Sequence, residues 1–248
     1  MTTLIRCRPA DFAANALGFL PPVAAGLLGW WYFGGTLAQS IRNLAPGGVD
    51  ATVVGAPAVS AGYISCVGNS AYLNTSIAEP PEATILVGMR SMATFATSAN
   101  ETMPVSSYGP SGGLGFWLAK SGASVGPIGV LRAHAFVDNA GAYLQVAASV
   151  TETNLSTWKF ASLTVDDGVG VNVYDQTDNL TAGATSALAR KILVPPRTFR
   201  IGSSHNSTFA GGVDLAFVAI YNRVLTPTER ASVYAAAKVT LARRSIVV

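Results

Sequence analysis

Charge is scarce in this sequence: Asp, Glu, Lys and Arg make up 12% of its 248 residues, about half the usual share of roughly a quarter. For a folded chain of 25.5 kDa the surface scaling law gives about 10,400 Å², or roughly one charge per 360 Å². Wide uncharged patches must therefore face solvent or a partner. Cysteine is almost absent. Cys7 and Cys66 alone exclude a disulfide framework and a zinc site built on cysteine spacing. A long apolar run is missing too. The longest uncharged stretch, residues 12–41, is broken by Pro21-Pro22, Gly26, Gly29 and Gly34-Gly35 and leaves no span of about 20 apolar residues, so no membrane insertion is expected. Asp11 and the same proline pair interrupt any secretory leader after Arg6 and Arg8. The net charge of +3 comes from scattered residues without a basic stripe or interleaved aromatics, and nucleic acid is not an expected partner.

What is present is apolar residues, 50% of the chain, with 25 glycines and 13 prolines. Short apolar or alternating segments recur every 8–15 positions between Gly, Asn, Asp or Pro, the pattern of a β-sandwich. Ten strands are expected at residues 51–55, 62–67, 83–90, 114–120, 128–137, 142–150, 159–166, 169–175, 198–203 and 213–222. Asp138-Asn139-Ala140-Gly141 and Asp167-Gly168 read as hairpin turns, so the pairing is antiparallel. The last strand is apolar on both faces, with Leu215, Phe217, Ala219 and Tyr221 on one side and Ala216, Val218 and Ile220 on the other. It must be covered twice. The cover is one helix opening at Thr226-Pro227-Thr228-Glu229, a capping box with proline in its first turn. Val233, Ala237 and Leu241 fall on one face of that helix. Residues 1–26 differ from the rest and read as an apolar arm, with Phe12, Leu17, Phe19 and Leu20 expected to anchor it on a partner. Residues 27–248 form the sandwich domain.

Several residues then resemble a known family. Phe199-Arg200-Ile201-Gly202-Ser203, Phe209-Ala210-Gly211-Gly212-Val213-Asp214 and Ala219-Ile220-Tyr221-Asn222-Arg223-Val224-Leu225-Thr226, followed by Glu229 and Tyr234, resemble the closing signature of laminin-G-like domains of the concanavalin A-like lectin/glucanase superfamily. Trp158 to Asp166 and Val171 to Tyr174 are similar to the family's central strands, and Gly29 to Phe33, Asp50 to Gly55 and Tyr72 to Thr75 to its opening. The resemblance implies an all-β fold, a two-sheet antiparallel jelly-roll sandwich with one C-terminal helix. Such domains serve as lectins, glycan-cleaving enzymes, adhesion modules and accessory domains of bacteriophage virion proteins.

Catalysis has little material. Glycoside hydrolysis needs two carboxylates facing one cleft. Only five glutamates exist, Glu79, Glu82, Glu101, Glu152 and Glu229, and none forms the glucanase strand motif of the family. Gly109-Pro110-Ser111-Gly112-Gly113 matches a nucleophile pattern formally, but it lacks the strand-turn-helix context. His134 reads as a satisfied structural histidine in an alternating strand. No cofactor and no metal site are expected. The family's rim calcium leaves room for a weak site, but Asp138-Asn139 and Asp166-Asp167 are explained as turn residues. Five Asn-x-Ser/Thr sequons, at Asn74, Asn100, Asn154, Asn179 and Asn206, would mark surface loops in a eukaryotic secreted chain.

The reading that combines low charge, apolar arm and resemblance is a non-enzymatic structural or attachment protein of a tailed-phage virion, in a tail fibre, baseplate or capsid decoration. Its expected partners are other virion subunits in a homo-oligomer, with a host-surface glycan touched through Tyr108, Trp117 and Trp31. The alternative is a secreted or cell-surface carbohydrate-binding module, and the third reading is a degenerate glucanase.

Overall fold

The computed structural model describes residues 21–92, 95, 97–120, 129–168 and 170–248. The anchoring residues Phe12, Leu17, Phe19 and Leu20, and the starts of the strands expected at 128 and 169, lie outside the described residues. The chain forms two antiparallel sheets packed face to face, with a helix on the outer side of one: a jelly-roll sandwich.

In chain order the elements are β1 (Leu27–Tyr32), α1 (Leu37–Ile41), β2 (Thr52–Val54), β3 (Ala58–Val59), β4 (Ile64–Val67), β5 (Tyr72–Ala78), β6 (Ala83–Ser91), β7 (Val105–Ser106), β8 (Gly115–Lys120), β9 (Gly129–Asn139), β10 (Ala142–Glu152), β11 (Lys159–Asp166), β12 (Gly170–Asp175), β13 (Leu180–Thr185), β14 (Thr198–Ile201), β15 (Gly212–Tyr221) and α2 (Pro227–Ala242). One sheet runs β13-β12-β11-β6-β15-β4-β3, with β1 also paired to β15, and the other runs β10-β9-β8-β7-β14-β5-β2. All ten expected strands are present. β1, β3, β5, β7 and β13 add to them, as does the short α1, whose Thr36 and Gln39 form a capping box. The turn expected between β9 and β10 closes as read, with Ala140 at φ 52° and Gly141 at φ 90°, whereas Asp166 of β11 pairs with Gly170 of β12, so the connection through Asp167-Gly168 is one residue longer than expected. Asp138 Oδ1 accepts from Gly141 N at 2.7 Å, which is turn chemistry.

The core between the sheets collects the inward residues of both, among them Ile85, Val87, Phe116, Leu118, Leu131, Leu163, Val173, Phe199 and Ile201. A second core lies under α2, where Val233, Ala237 and Leu241 bury against Trp30, Phe160, Phe217 and Tyr221. Helix α2 starts as expected: the Thr226 hydroxyl caps Glu229 N, and Pro227 sits in the first turn. The alternation expected along β15 needs a correction. A bulge interrupts its register between Leu215 and Phe217, so Leu215 joins Val218 and Ile220 in the inter-sheet core while Ala216, Phe217, Ala219 and Tyr221 face the helix. One extra residue in one strand exchanges the faces.

Residues 23–26 are stitched to the end of β15. Tyr221 Oη donates to Val23 O at 3.1 Å, Asn222 N to Gly26 O at 2.9 Å, and Arg223 Nε to Ala25 O at 2.9 Å. Gly26 is needed there: its φ is +78°, and a Cβ would stand 2.7 Å from Asn222 Oδ1.

Candidate functional site

The outer face of the seven-stranded sheet carries a strip of aromatic rings. In β9 the core residues Leu131, Ala133, Ala135 and Val137 alternate with Arg132, His134 and Phe136, and period-two geometry sends the second set to the opposite face. Antiparallel pairing places Trp117 of β8 beside Arg132, and Gln145, Ala147 and Ser149 of β10 beside Phe136, His134 and Arg132. Tyr108, in the turn between β7 and β8, meets His134 at 5.1 Å and Phe136 and Phe209 at 5.8 Å each. Trp117 meets Phe209 at 5.0 Å, and Phe136 meets Tyr143 at 6.3 Å. Polar groups interleave with the rings. The Arg132 guanidinium lies 4.6 Å over Trp117 and donates to Ser149 Oγ at 3.1 Å. Lys191 Nζ lies 5.3 Å over Tyr143, and Trp117 Nε1 donates to buried Glu101 at 2.8 Å.

Of the three aromatics named from sequence, two converge here. Tyr108 and Trp117 are both half-buried and share the strip. Trp31 is not part of it. That assignment is corrected by its position: β1 turns the ring into the inter-sheet core at 0% exposure, and its Nε1 donates to Ile41 O at 3.2 Å. Phe136, Tyr143, Phe209 and Arg132 escaped sequence reading because the rings of the strip come from five separate segments. The alternation of Arg132, His134 and Phe136 in β9 was the available signal.

His134 also departs from expectation. Among the described residues neither ring nitrogen has a hydrogen-bond partner, and the ring is wholly buried. Burial, with Arg132 and Arg190 adding repulsion, lowers its pKa from 6.5 to about 3. A group depressed in this way adds stability above its unfolded pKa, and that stability is lost as pH falls from 6.5 toward 3. Between pH 6.5 and 5 the loss attributable to His134 is about 2 kcal/mol, at about 1.4 kcal/mol per pH unit. Urea unfolding of the wild type and of His134→Phe across this range should differ in slope by close to one proton, with the wild type losing more on acidification.

The strip is held from beneath by a buried ion pair. Arg190 Nη2 meets Glu79 Oε1 at 2.6 Å, and Ser107 Oγ donates to Glu79 Oε2 at 2.7 Å. Arg190 also donates to Phe136 O at 3.1 Å and Pro81 O at 3.3 Å. Burial raises the Glu79 pKa against the pull of Arg190. This carboxylate, one of the few a hydrolase could have used, is engaged in joining β5, the Tyr108 turn and β9. Ser111, of the formal nucleophile motif, sits exposed in a turn closed by Gly109 and Gly112.

A second polar cluster lies where the chain crosses between sheets. Glu152 at the end of β10, Asp175 at the end of β12 and Asp178 offer carboxylate oxygens within 4.8 Å of one another. Lys159 already supplies the cation. Its ammonium lies 3.1 Å from Glu152 and 3.9 Å from Asp175, and pairs with Asp178. Burial and the Asp175 charge raise the Glu152 pKa to about 7. Burial opposes the Lys159 charge, but the three carboxylates outweigh it and hold its pKa above the ordinary value. Residues separated by up to 26 positions in sequence meet here, so no local motif announced the cluster.

Fold and face together define a jelly-roll sandwich bearing one aromatic, cation-interleaved surface. No family model and no curated protein matches the chain. Solved structures do match in fold. The receptor-binding domain of botulinum neurotoxin C/D mosaic serotype aligns at TM-score 0.60 and 10% identity, over 85% of this chain and 51% of that one. The botulinum neurotoxin serotype G binding domain aligns at 0.57 and 15%, over 86% and 52%. The binding domain of botulinum neurotoxin DC in complex with SialylT aligns at 0.58 and 8%, also over 86% and 52%. This chain therefore spans about half the length of those domains, and the likeness is one of fold.

Proposed function

We propose that this chain is a non-catalytic glycan-binding module whose binding surface is the aromatic strip of the seven-stranded sheet. The observation that carries the reading is the convergence of Tyr108, Trp117, Phe136 and Tyr143 on one face with Arg132, Gln145 and Ser149 between and beside them. Saccharides offer apolar C–H faces that rest on aromatic rings and hydroxyls that need donors and acceptors at their edges. Tyr143 and Gln145 are exposed, and Trp117 and Phe136 are half-buried, so a ligand reaches the strip without opening the fold. Support for this over a virion part comes from the solved neighbours, which are toxin receptor-binding domains, one of them in complex with SialylT. The engaged Glu79 and the lysine-neutralised acidic cluster favour binding over hydrolysis.

A glycan array probed with the full chain tests the proposal. At least one oligosaccharide class should bind, and Trp117→Ala and Tyr143→Ala should each weaken that binding about tenfold, which corresponds to about 1.4 kcal/mol. No glycan bound at all, or binding indifferent to both substitutions, would overturn it.

A further inference from the structure

The two flanks of the sandwich are built differently. On one flank the sheets end in β2, three residues, and β3, two residues, and very short edge strands are a standard protection against pairing with another chain. On the other flank the seven-stranded sheet ends in β10, eleven residues, paired without a register shift to β9. Among the described residues the outer edge of β10 has no strand beside it. Its sequence, AYLQVAASVTE, contains no proline, lysine or arginine, and its one acid, Glu152, is buried against Lys159. Among the described residues the strand has no proline, no lysine, no bulge and no covering strand, and its one inward charge, Glu152, stands at its very end. The neighbouring edge of the other sheet, β13, reads LTAGAT and is uncharged as well.

We infer that β10 is a homodimer interface, in which two copies pair their β10 strands antiparallel about a twofold axis and join the two seven-stranded sheets into one of fourteen strands. The occupant is a second copy because β10 complements itself. With the axis at Ala147, Tyr143 stands opposite Thr151, Gln145 opposite Ser149, Leu144 opposite Val150 and Val146 opposite Ala148. Aromatic and bulky side chains meet β-branched or small ones along the whole strand, small residues occupy the crossing point, and no charge faces a like charge. Leu144, 45% exposed in the single copy, gains an apolar neighbour. The flank is about 36 Å long at the strand rise and about 20 Å thick across two sheets and their side chains, so it offers about 700 Å² per copy, close to the roughly 800 Å² of a standard interface. The proposed glycan face continues over Tyr143 and Gln145 onto this edge, but the pairing does not depend on that reading.

Sedimentation of the full chain at about 50 μM should give twice the monomer mass. In a Cys7→Ser background, Ala147→Cys places two thiols opposite each other across the axis, at the 4.5–5.5 Å Cα spacing of antiparallel pairs that a disulfide spans, and should form a covalent dimer on oxidation. Thr151→Cys lies about 26 Å from its twin at the strand rise and should not. Leu144→Lys, at an already exposed position, should weaken association at least tenfold, with no loss of melting temperature at dilutions where both proteins are monomeric. A monomer at 50 μM, or a dimer in which Ala147→Cys fails to cross-link, overturns the inference whether or not a glycan binds.

Discussion

Lys159→Met is expected to lower stability by about 3–5 kcal/mol at pH 8, the cost of leaving a buried ion pair with one partner removed. The geometry explains the size. Glu152 and Asp175 are 0% and 1% exposed, and the Lys159 ammonium is the positive charge set between them. Methionine fills much the same volume, so the loss is electrostatic rather than a cavity. The pH dependence gives the sign. Glu152 already titrates near 7, raised by burial and by Asp175, and without the ammonium it rises further. A carboxylate with a raised folded pKa contributes stability at low pH and loses it as pH climbs through that value. The deficit of the variant is therefore largest at pH 8 and shrinks toward pH 5, and adding Glu152→Gln should restore much of it. Urea midpoints of the wild type and the two variants at the two pH values measure this directly. A deficit that grows on acidification would contradict the assignment.

Phe217→Ala should cost a comparable 3–5 kcal/mol through a different mechanism, the removal of a large ring from a closed core. Phe217 is 0% exposed. It stacks on Phe160 at 5.5 Å and meets Trp30 at 4.9 Å and Tyr32 at 5.2 Å, beneath the face of α2 that carries Val233, Ala237 and Leu241. For a chain of this size the loss corresponds to a melting temperature lower by about 6–20 °C. Calorimetry should show the drop at any pH between 5 and 8, because no titrating group is removed. That pH independence separates it from the Lys159 effect.

The sandwich was legible because its longer strands alternate and its turns use Asp, Asn and Gly where the backbone requires them. β13 was not, since Leu180–Thr185 is small and polar and takes its strand character from pairing with β12. β1 was recognised only through its resemblance to an opening strand, because Gly29 and the adjacent Trp30 and Trp31 are buried on both faces and leave no period of two. The bulge in β15 is invisible in a sequence that is apolar at every neighbouring position. At the candidate site, Tyr108 could be named as a loop aromatic and Trp117 as one inside a strand, whereas their convergence with Phe136 and Phe209 depends on strand register. His134 differs for a related reason: alternation shows that it lies in a strand, but hydrogen-bond partners for its ring nitrogens are a property of tertiary packing, which supplies none among the described residues.

β15 is the strand on which one sheet depends, since β6 pairs along one side of it while β1 and β4 share the other. Tyr32 pairs with Phe217 across about 185 residues of chain. At usual translation rates those residues take about 10–40 s to emerge. Throughout that interval β1, β4 and β6 are exposed on the ribosome with their central partner unmade, and α2, which seals the outer core, comes later still. Pairings this distant in sequence also form slowly after release. The nascent chain therefore passes through a long period with open apolar strands, and its yield in a cell should depend on holdase capacity and growth temperature more than its folded-state contacts suggest.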